Sequence, residues 1–269
     1  MTTLQQHPAE QPLLLAGRWL PITASVIFVH ADPLRCVELV EARTRAATVE
    51  RFGQPKRVRE VRGAGLEAML PELLPLRLEE DRRLVVRTEH PEWSAMFVNR
   101  FRGADQFAAP VLAMWGLRAL AVTELPHSWD RRTRRGFGGD RTFQLVEPWP
   151  AREVGGRTVD WISHLVTTRF GDDGWAFQAG SGYVDEGLDV AFPVGTVWDA
   201  SARLAADRFT HEHLVAACAR LGLRPFDADF YAPDGSGLVL ERSDPQAQTE
   251  AALTLAQARG DEPLPAPLR

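Results

Sequence analysis

The chain has 269 residues, 45% hydrophobic and 25% charged, with a formal net charge of −5. This is an ordinary globular composition, long enough to bury a sizeable core, and its acidity argues against non-specific binding to nucleic-acid phosphates, which favour a basic surface. Its 31 cationic side chains include one lysine, Lys56. Coding bias in a GC-rich bacterial genome accounts for that skew better than any need for guanidinium forks at every position, so arginine clusters carry reduced functional weight here.

Met1–Pro12 is polar and reads as a disordered leader with no secretory pattern. The apolar runs Leu13–Ala16 and Ser25–Val29 are far too short to span a bilayer, and a cytoplasmic protein with no membrane partner is expected. Val26–Val29 forms a first strand. Asp32-Pro33 follows as N-cap and first helical residue, opening a helix to about Arg51 that Phe52-Gly53 ends. A short strand near Arg57–Val61, a helix near Gly65–Leu70 cut by Pro71, and strands Leu84–Arg87 and Ala95–Asn99 around Pro91 come next. Phe107–Trp115 is helical up to Gly116, leading into strand Leu117–Thr123.

From Arg141 the pattern turns to β. Arg141–Val146 and Thr158–Phe170 are strands, and Gly171-Asp172-Asp173-Gly174 turns the second into Trp175–Gln178. Helices are expected at Trp198–Asp207 and at His211–Leu221, the latter capped by Thr210 with Leu214, Val215, Cys218 and Leu221 on one face. Asp229–Tyr231 and Leu238–Arg242 flank Pro233–Gly237 as a final hairpin. Residues after Ser243 form an exposed helix and a Pro-rich tail. Trp115-Gly116-Leu117-Arg118 and Leu221-Gly222-Leu223-Arg224 repeat one physical device, a left-handed glycine cap with an apolar residue beyond it. The fold class is α+β, a largely antiparallel sheet with packed helices and a hairpin-rich second half. Residues 13–242 make a single domain or two intimately packed lobes meeting softly at 128–140, and 243–269 is an extension.

No motif names a reaction. Trp129-Asp130-Arg131-Arg132-Thr133-Arg134-Arg135-Gly136-Phe137 is the most conspicuous segment: Arg131, Arg132, Arg134 and Arg135 suit an acidic partner or a phosphate, and Trp129 and Phe137 offer stacking faces. Gly136-x-Gly138 lacks the third glycine of a dinucleotide loop. His211 and His213 stand two apart on a helix and point to different sides, so no metal site is expected. Asp227, Asp229 and Asp234 depart from a calcium loop at Tyr231 and Leu238. Ser181 lies between glycines but without the spacing of a nucleophile elbow. Cys36 and Cys218 fall on apolar helix faces as buried thiols, with no disulfide framework.

The leading functional expectation is a non-catalytic module binding an unidentified protein through Trp129, Arg131, Arg132, Arg134, Arg135 and Phe137, with toxin-neutralising immunity or inhibitor proteins as the class of like character. Two alternatives stand beside it: an enzyme with a dispersed site using His164, His211, Asp227 or Asp229, and nucleic-acid binding through the arginine loop. No cofactor is implied.

Overall fold

Among the described residues, ten strands form one antiparallel sheet: β1 (Ser25–Val29), β2 (Arg57–Arg62), β3 (Arg82–Arg87), β4 (Ser94–Val98), β5 (Ala119–Leu125), β6 (Asp140–Val154), β7 (Arg157–Gly171), β8 (Gly174–Tyr183), β9 (Glu186–Gly187) and β10 (Ser236–Glu241). Their order is β2-β10-β3-β4-β1-β5-β6-β7-β8-β9. With α1 (Pro33–Phe52), α2 (Leu66–Met69), α3 (Ala108–Met114), α4 (Ala205–Arg208), α5 (His211–Ala219) and α6 (Leu255–Arg259), this is an α+β fold. The computed structural model describes residues 12–52, 55–79, 81–103, 108–130, 132, 136–154, 156–183, 186–187, 190–242 and 252–265. The leader at 1–11, most of the arginine run (Arg131, Arg134 and Arg135) and residues 243–251 lie outside the described residues. Among the described residues, no helix is long and apolar enough to cross a membrane.

The centre follows the chain order β1-α1-β3-β4-α3-β5. Its spatial order, β3-β4-β1-β5, is that of a split βαβ unit. Short apolar strands at its heart are buried on both faces: every residue of β1 and of β4 is buried. Both long connections place helices on one face, which we call the α1 face. There Cys36, Val37 and Val40 of α1 and Ala109, Leu112 and Ala113 of α3 pack on Ile27, Val85, Met96, Ala121 and Leu240. Asp32 starts α1 as its sequence implies, its Oδ1 accepting from Arg35 N at 3.0 Å.

The opposite face carries the larger core. Phe28, Leu84, Phe97, Leu120, Phe143 and Val166 rise from the sheet and meet Leu66, Met69, Leu70, Phe209, Leu214, Cys218 and Tyr231. Tyr231 stacks on Phe28, with ring centroids 6.1 Å apart, and donates its hydroxyl to Pro225 O at 2.7 Å, so its one polar atom is satisfied inside the core. Thr210 caps α5 by accepting from His213 N. His213, standing where a capping box usually holds Glu or Gln, accepts from Thr210 N at 3.1 Å through its Nδ1. Gly116 and Gly222, with φ of +84° and +71°, end α3 and α5 alike, and Leu117 N and Leu223 N reach back to Leu112 O and Cys218 O.

Three expected elements differ. The helix at Trp198–Asp207 shrinks to α4, because Asp199 Oδ1 accepts from both Ser201 N and Ser201 Oγ, and that local turn outcompetes a first helical turn. The final hairpin does not form. Ala228–Phe230 is a 3-10 turn, and β10 pairs instead with β2 and β3. Its alternation explains the move: Val239 packs in one core while Leu238 and Leu240 serve the other, so β10 needs a neighbour on each edge and a layer on each face. The strands expected at Arg141–Val146 and Thr158–Phe170 extend into a hairpin of 15 residues per arm, with a register shift between Pro148 and Arg152.

Candidate functional site

The residues singled out by sequence fall into separate places. His164 lies on β7 beneath the larger core layer. Its partner residues on the neighbouring strands are Leu145 and Ser181. Its Nδ1 is 2.7 Å from Ser181 Oγ and its Nε2 is 3.6 Å from Glu147 Oε2, while Arg118 Nε lies 2.6 Å from Glu147 Oε1. The contact with His164, helped by the Arg118 charge and opposed by burial, holds the Glu147 carboxyl below its usual range. Serine, histidine and glutamate thus form a relay in outline. His164 is 1% exposed and Phe192 packs on its ring, with Trp198 behind Phe192. The cluster is a satisfied polar row inside the core.

His211, the first residue of α5, belongs to a second buried cluster. Glu124 and Arg141 are cross-strand partners on β5 and β6, and Arg141 donates to both Glu124 oxygens at 2.7 Å and to Phe209 O at 2.8 Å. His211 Nδ1 stands 3.5 Å from Glu124 Oε2, and its ring packs on Phe226. The bidentate pair joins the sheet to the chain entering α5. Asp227 and Asp229 are exposed, and Asp227 is engaged by Arg224 at 3.1 Å. The four candidate catalytic residues therefore do not converge. Among the described residues, no group of three His, Cys, Asp or Glu side chains is disposed to hold a metal.

At the arginine loop, Phe137 N donates to Ser128 Oγ and Ser128 N to Phe137 O, both at 3.0 Å, closing the loop's base. Trp129 is 37% exposed, and Arg132 N donates to Asp130 Oδ1 at 2.7 Å.

Sequence reading did not anticipate a groove of about 590 Å³ on the α1 face, where α1 and α3 diverge over the ends of β10, β3 and β4. Met96 and Leu240 floor it, with Val111, Leu112 and Trp115 of the α3 segment on one wall and Thr44, Ala47 and Thr48 of α1 on the other. Around this apolar body stand Arg43, Lys56, Arg82, Arg83, Arg100 and Arg242, against Glu79 and Asp81. The described lining thus has a formal excess of four positive charges in a chain whose net charge is −5.

The mouth is built rather than incidental. Asn99, fully buried, accepts from Asp81 N and Arg82 N at 3.0 Å each and donates to Pro75 O and to the Asp81 carboxylate. Arg77 lies 3.6 Å from Asp81 on the same side. One lining carboxylate and one lining cation are therefore already engaged, Asp81 by these partners and Arg82 by Glu241 at 2.9 Å. Strand alternation carries the cations: Arg83 shares the face of Val85, and Arg242 that of Leu240. Because β4 and β5 run parallel to each other, Arg100 after β4 and the chain leaving β5 at Leu125 lie toward the same ends of the strands. The groove brings together residues up to 199 positions apart (Arg43 and Arg242), so no local spacing could show it. The chain matches no protein-family model, no curated protein and no solved structure.

Proposed function

We propose that this protein is a non-catalytic binding module whose site is the groove between α1 and α3 and whose partner presents carboxylates or phosphates on an apolar body. One observation carries the reading: the cationic excess is gathered around a concave apolar floor, in a protein otherwise acidic. Concavity of this volume suits a small ligand or a few side chains of a partner segment. Low-dielectric walls strengthen the attraction of such a site for anions, and the acidic remainder of the surface directs them there.

The test uses two probes, naphthyl phosphate and a Glu-rich peptide with one Phe anchor, titrated calorimetrically against the full chain. Saturable 1:1 binding of either, weakening as salt rises, supports the reading and tells a small anion from an acidic protein segment. The variant Arg43→Glu, an exposed change on the α1 wall, lowers that affinity roughly tenfold, since reversing one charge a few ångströms from an anion in a partly screened site is worth about 1.4 kcal/mol. No saturable binding of either probe, or equal binding by the variant, refutes it.

A further inference from the structure

The two ends of the sheet are defended differently. β2, the edge strand at one end, reads Arg-Val-Arg-Glu-Val-Arg, and four charges in six residues discourage pairing with another chain. At the other end, β9 covers only Gly182 and Tyr183 of β8. Among the described residues, the rest of β8, from Gly174 to Ser181, has a strand on one side only. That stretch reads Gly-Trp-Ala-Phe-Gln-Ala-Gly-Ser, with no charge and no proline. An edge this long and neutral is a template for a further strand.

A second feature says which strand. On the α1 face one polar row crosses the sheet in register: Ser25 pairs with Thr123, Thr123 with Thr142, Thr142 with Thr167, and Thr167 with Gln178. Ser25 and Thr123 hydroxyls are 3.0 Å apart, and those of Thr142 and Thr167 are 2.7 Å apart. The row ends at the open edge on Gln178, an exposed primary amide that both donates and accepts. Ala176 and Gly180, its neighbours on that face, are exposed and small.

We infer that β8 pairs antiparallel with β8 of a second copy of this chain, about a two-fold axis at Gln178. Gln178 then faces its own equivalent, amide to amide, and Ala176 faces Gly180 of the other copy. The two sheets become one continuous sheet, and the polar row runs through the axis without a break. On the α1 face the opposed side chains are small and neutral, and on the other face Trp175 falls opposite Ser181 and Phe177 opposite Ala179, large against small. The ladder runs from Trp175 to Ser181, short of the β9 pairing at Gly182, and is self-complementary as a two-fold interface requires. The inference does not rest on the groove, which lies toward the other end of the sheet.

Sedimentation equilibrium of the full chain is expected to show a dimer at micromolar concentration. Gln178→Lys sets two ammonium groups opposite each other on the axis and raises the dissociation constant at least tenfold, with circular dichroism unchanged. Register is read with cysteines, since Cys36 and Cys218 are fully buried. Under mild oxidation Gln178→Cys cross-links with itself, opposed residues in a ladder lying within disulfide reach. Ala176→Cys and Gly180→Cys cross-link when mixed and not when alone. A monomer at tens of micromolar, a dimer indifferent to Gln178→Lys, or a dimer in which Gln178→Cys fails to cross-link overturns the inference.

Discussion

Removing one partner of the Arg141–Glu124 pair is expected to destabilise the fold more than removing both. Glu124 is 2% exposed and the Arg141 side chain 8%, so neither charge has water to fall back on. Glu124→Leu deletes two charge-assisted hydrogen bonds of 2.7 Å, each worth about 1.5–3 kcal/mol. It leaves the guanidinium with only the Phe209 carbonyl. The expected cost is about 3–5 kcal/mol, the usual range for stranding a buried charge. In a protein of this size that lowers the midpoint of thermal unfolding by on the order of 10 °C. Glu124→Leu with Arg141→Met replaces the pair by apolar groups of similar length and returns to within about 1.5 kcal/mol of the parent. Urea unfolding of the four chains of the cycle measures the coupling directly. A cost below about 1.5 kcal/mol for Glu124→Leu, or a double variant as unstable as the sum of the singles, would refute the reasoning. The pair would then not be holding α5 to the sheet.

Asp140 and Glu147 have opposite pH signatures. Burial, only partly offset by Arg169 and Thr142, raises the Asp140 carboxyl. The folded state therefore holds that proton more tightly, and the stability Asp140 contributes falls as pH rises from its ordinary value of 3.8 through its folded value. Asp140→Asn is expected to flatten that descent in urea midpoints measured against pH. The contribution of Glu147, whose carboxyl is lowered, is present above 4.5 and lost as pH falls through its folded value. Glu147→Gln should remove that acid limb, and an unchanged profile would contradict the contacts with His164 and Arg118. Burial pushes Cys36 up to about 12 and Cys218 higher still, so neither thiol should react with iodoacetamide at pH 8 until the protein is unfolded. Mass spectrometry of the native protein tests this. Gly235→Ala, at φ +65° with a new methyl 2.7 Å from Gly63 O, should cost clearly more in a thermal melt than Gly116→Ala, which meets nothing within 4 Å and carries only the backbone strain of about 1 kcal/mol.

Local chemistry made much of the fold legible. The Asp32-Pro33 start of α1, the Thr210 cap of α5 and the paired glycine stops at Gly116 and Gly222 all act within a few residues, and each is found where the sequence places it. Elements whose fate depends on distant neighbours were less legible. β10 carries the same alternation it would have in a hairpin, but its partners lie 151 to 184 residues earlier. The helix expected from Trp198 gives way to a single Asp199–Ser201 turn that diverts the chain. The candidate site was least legible of all. A run such as Arg131–Arg135 draws the eye because its charges are adjacent in sequence. Arg43, Arg83, Arg100 and Arg242 are adjacent only in space, and each alone looks like an ordinary surface arginine. Ser181 and Glu147 likewise became partners of His164 only once β6, β7 and β8 were in register.

The position of β10 also sets a timetable. A ribosome working left to right releases β2 and β3 while the strand that separates them is still unmade. At ordinary elongation rates the wait is roughly 8–30 s, longer than small domains usually need to fold. Throughout that interval β3 can pair with β4 but keeps an open edge on its other side, and β2 is without its final neighbour. The growing sheet is thus obliged to stay incomplete until Ser236–Glu241 has emerged. Shielding of that unfilled slot during synthesis becomes part of how the molecule is made, and a product cut short before residue 236 would be left with the slot empty.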